Sequence, residues 1–133
     1  MASIFTKIIR SEIPCYKVAE NELCFAFLDI SPLKYGHVLV VSKKETDYLF
    51  DLPETDYNAL FAFAKKVAKA IKTVTQCKRV SLHVIGLEVP HAHIHLIPIN
   101  SMNDCNFSNQ KLQASQEEFV EIAHKISTAF HSV

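Results

Sequence analysis

Pro90-His91-Ala92-His93-Ile94-His95-Leu96-Ile97-Pro98 is the stretch from which both fold and chemistry are read. Histidine alternates with Ala, Ile and Leu. Successive strand side chains point to opposite faces, so an extended chain here puts all three imidazoles on one face. An unperturbed imidazole titrates near about 6.5 and serves as nucleophile, proton donor or metal ligand at neutral pH. Three on one face mark it as a reactive surface rather than as packing.

Outward from that stretch the chain reads as one α+β domain over 1–133: a five-stranded antiparallel sheet with a long helix and a C-terminal helix. Val80–Ile85 is predicted as the strand before the histidines, Gly86–Pro90 as the connection and His91–Ile99 as the strand that carries them. Tyr16–Ala19, Cys24–Leu28 and His37–Ser42 are rich in β-branched and aromatic residues, with turn signals at Glu20-Asn21-Glu22 and Ser31–Gly36 between them. Ile4, Phe5, Ile8 and Ile9 recur at helical spacing behind a cap at Ser3, and Pro14 ends the pattern. Asp51, with Glu54 three residues on, predicts the cap of a long helix whose apolar stripe is Leu60, Ala64, Val67, Ile71 and Val74. Ser115 with Glu118 forms a capping box before Phe119, Ile122, Ala123 and Ile126, the stripe of a closing helix. Asn100–Gln113 is polar and reads as a surface loop able to cover the site.

The 133 residues suffice for one core without staples. Lysine plus arginine number 14, as do aspartate plus glutamate, so no long-range field draws the chain to nucleic acid or an anionic membrane. Any anion must be captured locally. Lys7, Arg10 and Glu12 interrupt the apolar start, so no signal-peptide core is present, and runs such as Ala59–Ala64 are too short to span a bilayer. A cytoplasmic protein is expected, without nucleic-acid or membrane partners. Cys15, Cys24, Cys77 and Cys105 are scattered without a Cys-x-x-Cys pair and read as reduced thiols.

His91-Ala92-His93-Ile94-His95-Leu96-Ile97 resembles the histidine triad pattern, His-φ-His-φ-His-φ-φ with φ apolar, of a family of nucleotide-binding hydrolases and transferases. Ile4–Ile8, Phe27–Pro32 and Gly36–Val40 are similar to that family's opening helix, second strand and turn, and third strand. The resemblance implies an α+β sheet with helices on one side, usually paired as a homodimer whose central sheets join. It implies that His93 attacks the α-phosphate of a nucleotide to form a covalent nucleotidyl-imidazole that water hydrolyses. By the same resemblance His91 and His95 donate to phosphate oxygens, and His37 supports them from an adjacent strand. Asp29 is similar to the carboxylate that accepts from ribose hydroxyls. Ile4, Phe5, Ile8, Phe27 and Ile30 match the nucleobase pocket, while the same spacing serves ordinary core packing equally. The expected partner is a purine nucleotide or related small molecule, with no metal and no cofactor required.

Two departures from the pattern matter. Many members have Gly-Gln-Ser/Thr-Val before the triad, where this chain reads Gly86-Leu87-Glu88-Val89. Glu88 brings negative charge towards a phosphate, so it is expected either to face solvent or to give a proton to the leaving group. The N-terminal Cys-x-x-Cys that holds a structural zinc in some members is absent, since Phe5-Thr6-Lys7 has no thiol. The expected activity is that of a nucleoside phosphoramidase, with a dinucleoside polyphosphate hydrolase as the alternative. From other classes, a zinc site built from two or three of His91, His93 and His95, or a nucleotide-binding module without turnover, also fits these residues.

Overall fold

The computed structural model describes residues 2–132. In chain order it contains α1 (Ile4–Ile9), β1 (Lys17–Glu20), β2 (Cys24–Leu28), β3 (Val38–Ser42), α2 (Glu54–Thr75), β4 (Arg79–His83), β5 (His93–Ile99) and α3 (Gln116–His131). The strands form one sheet in the order β1-β2-β3-β5-β4, with every neighbouring pair antiparallel. The predicted five-stranded antiparallel α+β architecture is the observed one. No described helix is long and apolar enough to cross a membrane.

Register divides the sheet into two faces. Residues directly opposite in an antiparallel pair point the same way. Ala26, Val40 and Ile94 align across β2, β3 and β5 and share one face. They join Leu60, Ala64, Val67 and Ile71 of α2 and Phe119, Ala123 and Ile126 of α3 in the larger apolar core. Phe25 opposes Val41, Phe27 opposes Leu39, and these oppose His93 and His95 on the other face. There Phe5 and Ile8 of α1 cover Phe25, Phe27, Leu39 and Val41 as a smaller cluster. The histidine face is therefore roofed at one end by α1 and backed through the sheet by both long helices.

Local signals account for most boundaries. The Ser3 hydroxyl accepts from Thr6 N–H at 3.0 Å to cap α1, and Ser115 and Glu118 close both bonds of their capping box at the start of α3. The Asp51 cap does not occur: Asp51 ends a short 3-10 turn, and α2 begins at Glu54 behind Pro53, which supplies no side-chain bond. Proline fixes φ for a helix start and needs no donor there, so it outcompetes the carboxylate signal. The predicted strands also end differently. Val84 and Ile85 lie beyond β4, and β5 begins at His93 rather than His91. The last β3–β5 pair is Val41 with His93; beyond it, Ala92 N–H turns to Thr46 O at 2.7 Å and His91 N–H to Val89 O at 2.8 Å.

Gly36 sets the approach to β3. Its φ of +96° belongs to the region glycine alone adopts freely, and a Cβ there would stand 3.2 Å from Thr75 Cγ2 of α2. Gly36→Ala is expected to destabilise the fold by about 1–3 kcal/mol, read as a lowered denaturation midpoint; an unchanged midpoint would show that the turn relaxes.

Candidate active site

His93 and His95 of β5, His37 just before β3, and Asp29 just after β2 line one cavity of about 520 Å³. Phe5, Leu39, Ile85, Leu87, Val89 and Phe107 form its apolar wall, and Glu88 and Lys111 also line it. A hollow of comparable size at Lys17–Glu22 contains no triad histidine, and its Lys17, Glu20 and Lys43 already pair with one another.

Backbone groups fix the tautomers. A carbonyl only accepts, so the 2.8 Å contact of His93 Nδ1 with His91 O places a proton on Nδ1 and, in the neutral ring, the lone pair on Nε2. Leu33 N–H donates to His37 Nδ1 at 3.0 Å, which puts the His37 proton on Nε2. That N–H donates to His95 Nδ1 at 3.0 Å, so His95 in turn carries its proton on Nε2. Among the described residues no side-chain nitrogen or oxygen is both fully buried and unpartnered. The Nε2 atoms of His93 and His95 have no partner among the described residues, and so they reach open space. The site presents one imidazole acceptor beside one imidazole donor.

Burial keeps the His37 and His95 rings uncharged. It pushes His95 down to about 3, helped by the imidazoles of His37, His93 and His83, and His37 down to about 4 against the opposing pull of Asp29. Asp29 Oδ2, 3.5 Å from His37 Nε2, therefore faces a neutral ring rather than forming an ion pair. Its other oxygen accepts from Ser31 N–H at 2.8 Å, so Asp29 both closes a turn and leaves one oxygen near the cavity.

His91 departs from the expectation that it would donate into the cavity. Its ring is fully buried under α1: Nε2–H donates to Ser42 O at 2.6 Å, and Nδ1 accepts from the Ser3 hydroxyl at 2.7 Å. With both nitrogens engaged, what it offers the site is its carbonyl. Glu45 completes the network by accepting from Ser3 N–H at 2.7 Å and Thr6 Oγ1–H at 2.6 Å, bonds that hold its carboxyl down at about 2. Among the described residues, the side chains with ligand atoms close enough to share a metal, within 4.8 Å, are Asp29, His37 and His95 rather than the three triad histidines.

Of the residues matched to a nucleobase pocket, Phe5 alone lines the cavity, edge-on to His93 with ring centres 4.9 Å apart. Ile8 and Phe27 pack behind it in the smaller cluster. Ile4 and Ile30 are 49% and 68% exposed and lie outside the cavity lining, since the helix and the turn rotate them outward. Glu88 lines the cavity, is exposed, and forms no hydrogen bond or ion pair with a described residue. Sequence reading missed Phe107, packed edge-on against His37, His83 and His95, and Lys111 beside it. The signal for Phe107 was available: it is the one aromatic residue in the polar stretch 100–113.

Alternating histidines on a five-stranded antiparallel sheet, opening on a cavity beside an Asp-bearing turn, define the histidine triad class of fold. The family model for the HIT domain matches residues 10–102, and the chain belongs to the HIT family. An uncharacterized HIT-like protein of Borreliella burgdorferi is 34% identical over 132 residues, covering 93% of this chain and 95% of that protein. Adenosine 5'-monophosphoramidase HNT1 of Saccharomyces cerevisiae is 41% identical over 98 residues, 73% of this chain and 62% of the yeast protein. The crystal structure of a HIT-like protein of Bartonella henselae involved in cell-cycle regulation matches with a TM-score of 0.82 at 31% identity, covering 96% of this chain and 95% of that one.

Acid should loosen this fold through its neutral histidines. The folded values for His37 and His95, about 4 and about 3, lie below the unfolded value near 6.5, so between them the unfolded chain binds more protons. Stability is full above that unfolded value and falls as pH drops towards the folded values, by up to about 1.4 kcal/mol per pH unit for each proton. Urea midpoints measured at pH 7, 6 and 5 should decline, and His95→Asn should flatten the slope. A slope unchanged by the substitution would show that His95 does not titrate this way.

Proposed function

We propose that the cavity is the active site of a nucleotide hydrolase that releases a nucleoside monophosphate from an amine through a covalent nucleotidyl-histidine. The observation that carries this reading is the 2.8 Å bond from His93 Nδ1–H to the His91 carbonyl, which directs an unprotonated Nε2 to the cavity. That lone pair attacks the α-phosphorus. The bond from phosphorus to the leaving nitrogen breaks with its electron pair on nitrogen, which takes up a proton. Water then attacks phosphorus and gives up a proton to solvent, the electron pair of the phosphorus–Nε2 bond returns to the ring, and the monophosphate departs. His95 Nε2–H donates to a phosphate oxygen where charge shifts in the transition state. His37 holds His95 in the donating tautomer, and His91 positions His93 through its carbonyl. Asp29 accepts from the ribose hydroxyls, and Phe5 contacts the base. The route needs no metal or other cofactor.

Similarity to the yeast phosphoramidase supports an amine as leaving group. Lys111 in the cavity lining favours a second reading, hydrolysis of a dinucleoside polyphosphate. The four free cysteines suit a reducing compartment, and we place the enzyme in the cytoplasm. A homodimer through β4 is part of the same reading. β4 is an outer strand, and Leu82 upon it and Ile85 beyond it stay 44% and 47% exposed, as a strand edge awaiting a second sheet would.

A fluorogenic adenosine phosphoramidate and a diadenosine polyphosphate, each given to the wild type and to His93→Ala, test the activity. The wild type should cleave the phosphoramidate faster, and the substitution should cost at least about a thousandfold. Acid quenching should trap a nucleotidyl group on His93. Turnover that survives in His93→Ala without any adduct would end the proposal.

Glu88, in the cavity lining, is assigned to the leaving group. Glu88→Gln should slow substrates with poorly leaving amines by about tenfold or more and spare those with good leaving groups. Equal rates on both would leave Glu88 facing solvent, and faster turnover on every substrate would exclude both roles.

A further inference from the structure

We infer that Glu45, at the surface and outside the cavity lining, is a positioning residue for the nucleophile: together with the carbonyl of Thr46 it fixes the His91–Ala92 peptide group and, through that group, the tautomer of His93. The inference rests on the nucleotide reading above for its catalytic consequence and assigns to it a residue that touches no substrate. The chain leaving β3 supplies acceptors around His91. Ser42 O takes the ring Nε2–H at 2.6 Å, and Thr46 O takes the N–H of Ala92 at 2.7 Å. A trans peptide group is planar, with its N–H and C=O pointing in opposite directions, so anchoring Ala92 N–H on Thr46 aims the His91 carbonyl the other way. That oxygen is the one that receives His93 Nδ1–H at 2.8 Å.

Glu45 completes the grip by deciding where two hydroxyl protons go. One carboxylate oxygen, Oε1, accepts both from Ser3 N–H at 2.7 Å and from Thr6 Oγ1–H at 2.6 Å. A hydroxyl has a single proton, so Thr6 has none left for His91 Nδ1, which lies 3.4 Å from its oxygen. Ser3 Oγ accepts from Thr6 N–H at 3.0 Å and directs its own proton to that ring nitrogen at 2.7 Å. Every proton in the set therefore has one destination. Without the Glu45 oxygen, the two hydroxyls compete for one ring lone pair, and Ser3 N–H loses its acceptor at the start of α1. The His91 ring is fully buried and has no water to turn to, so it follows whichever hydroxyl holds it. Its own carbonyl moves with it, and the bond that keeps the proton on His93 Nδ1 weakens. The bonds from Ser3 and Thr6 hold the Glu45 carboxyl down at about 2, so this acceptor stays ionised at neutral pH.

Long-range nitrogen–proton correlation spectra of the full chain labelled with nitrogen-15, taken in mildly alkaline buffer, report which ring nitrogen of His93 carries the proton. The wild type should show the Nδ1–H form. Glu45→Met should move the tautomer ratio towards Nε2–H by about fivefold or more, the worth of one hydrogen bond. On a fluorogenic adenosine phosphoramidate it should lower kcat by about the same factor and change KM little, because no substrate contact is removed. Glu45→Gln, whose amide oxygen can take both bonds, should restore the tautomer and kcat. Thr6→Val cuts the same link from its other end and should shift the tautomer in the same direction, which keeps the test open if Glu45→Met does not fold. A His93 tautomer unchanged in the folded Glu45→Met or Thr6→Val protein, or a Glu45→Gln protein that behaves like Glu45→Met, overturns the inference and leaves the nucleotide reading intact. A wild type that cleaves no phosphoramidate while the tautomer shifts as described removes the nucleotide reading and leaves the positioning of His93 by Glu45 standing.

Discussion

A single backbone carbonyl, that of His91, decides what His93 can do. Because a carbonyl only accepts, it draws the imidazole proton to Nδ1 and leaves Nε2 as the basic nitrogen on the cavity side. That carbonyl stays in place because the His91 ring is pinned at both nitrogens, to Ser42 beyond the β3–β5 ladder and to the Ser3 cap of α1. The opening helix thus serves two ends with one residue. Ser3 satisfies the first turn of α1 and locks the ring whose backbone aims the neighbouring histidine. Ser3, Thr6, Glu45 and His91 form a closed hydrogen-bonded set.

The second constraint is charge. Several imidazoles within one hydrogen-bonded cluster would repel one another if protonated, and burial resolves the conflict by keeping His37 and His95 neutral. Neutral rings alternate donor and acceptor in a chain that begins at the Leu33 amide and ends at His95 Nε2–H. The sheet makes this possible. Its other face is covered by α2 and α3, so the histidine rows stand on a rigid, dry support.

The remaining walls come from segments far apart in the chain. Phe5 belongs to α1, Leu39 to β3, Val89 to the β4–β5 connection and Phe107 to the segment after β5. That last segment is polar in composition, yet it is tied down by Pro32, Asn103 and Lys34 and forms part of the cavity rather than a free cover.

Sequence alone determined the order and type of the elements, the Ser3 and Ser115 caps and the alternation that sets His93 and His95 on one face, because these depend on local periodicity and on hydrogen bonds spanning a few residues. The same local rules misplaced the α2 cap at Asp51, where the proline two residues on governed the helix start. They also put His91 in the cavity and counted Ile4 and Ile30 in the pocket. Strand alternation describes a side chain only while the ladder lasts, and the ladder with β3 stops at His93. The roof of α1 over His91, the inward turn of Phe107 and Lys111, and the protonation of each ring were decided by tertiary structure. Each depends on which distant backbone group or side chain comes within about 3 Å of a given atom, a distance that no spacing along the chain encodes.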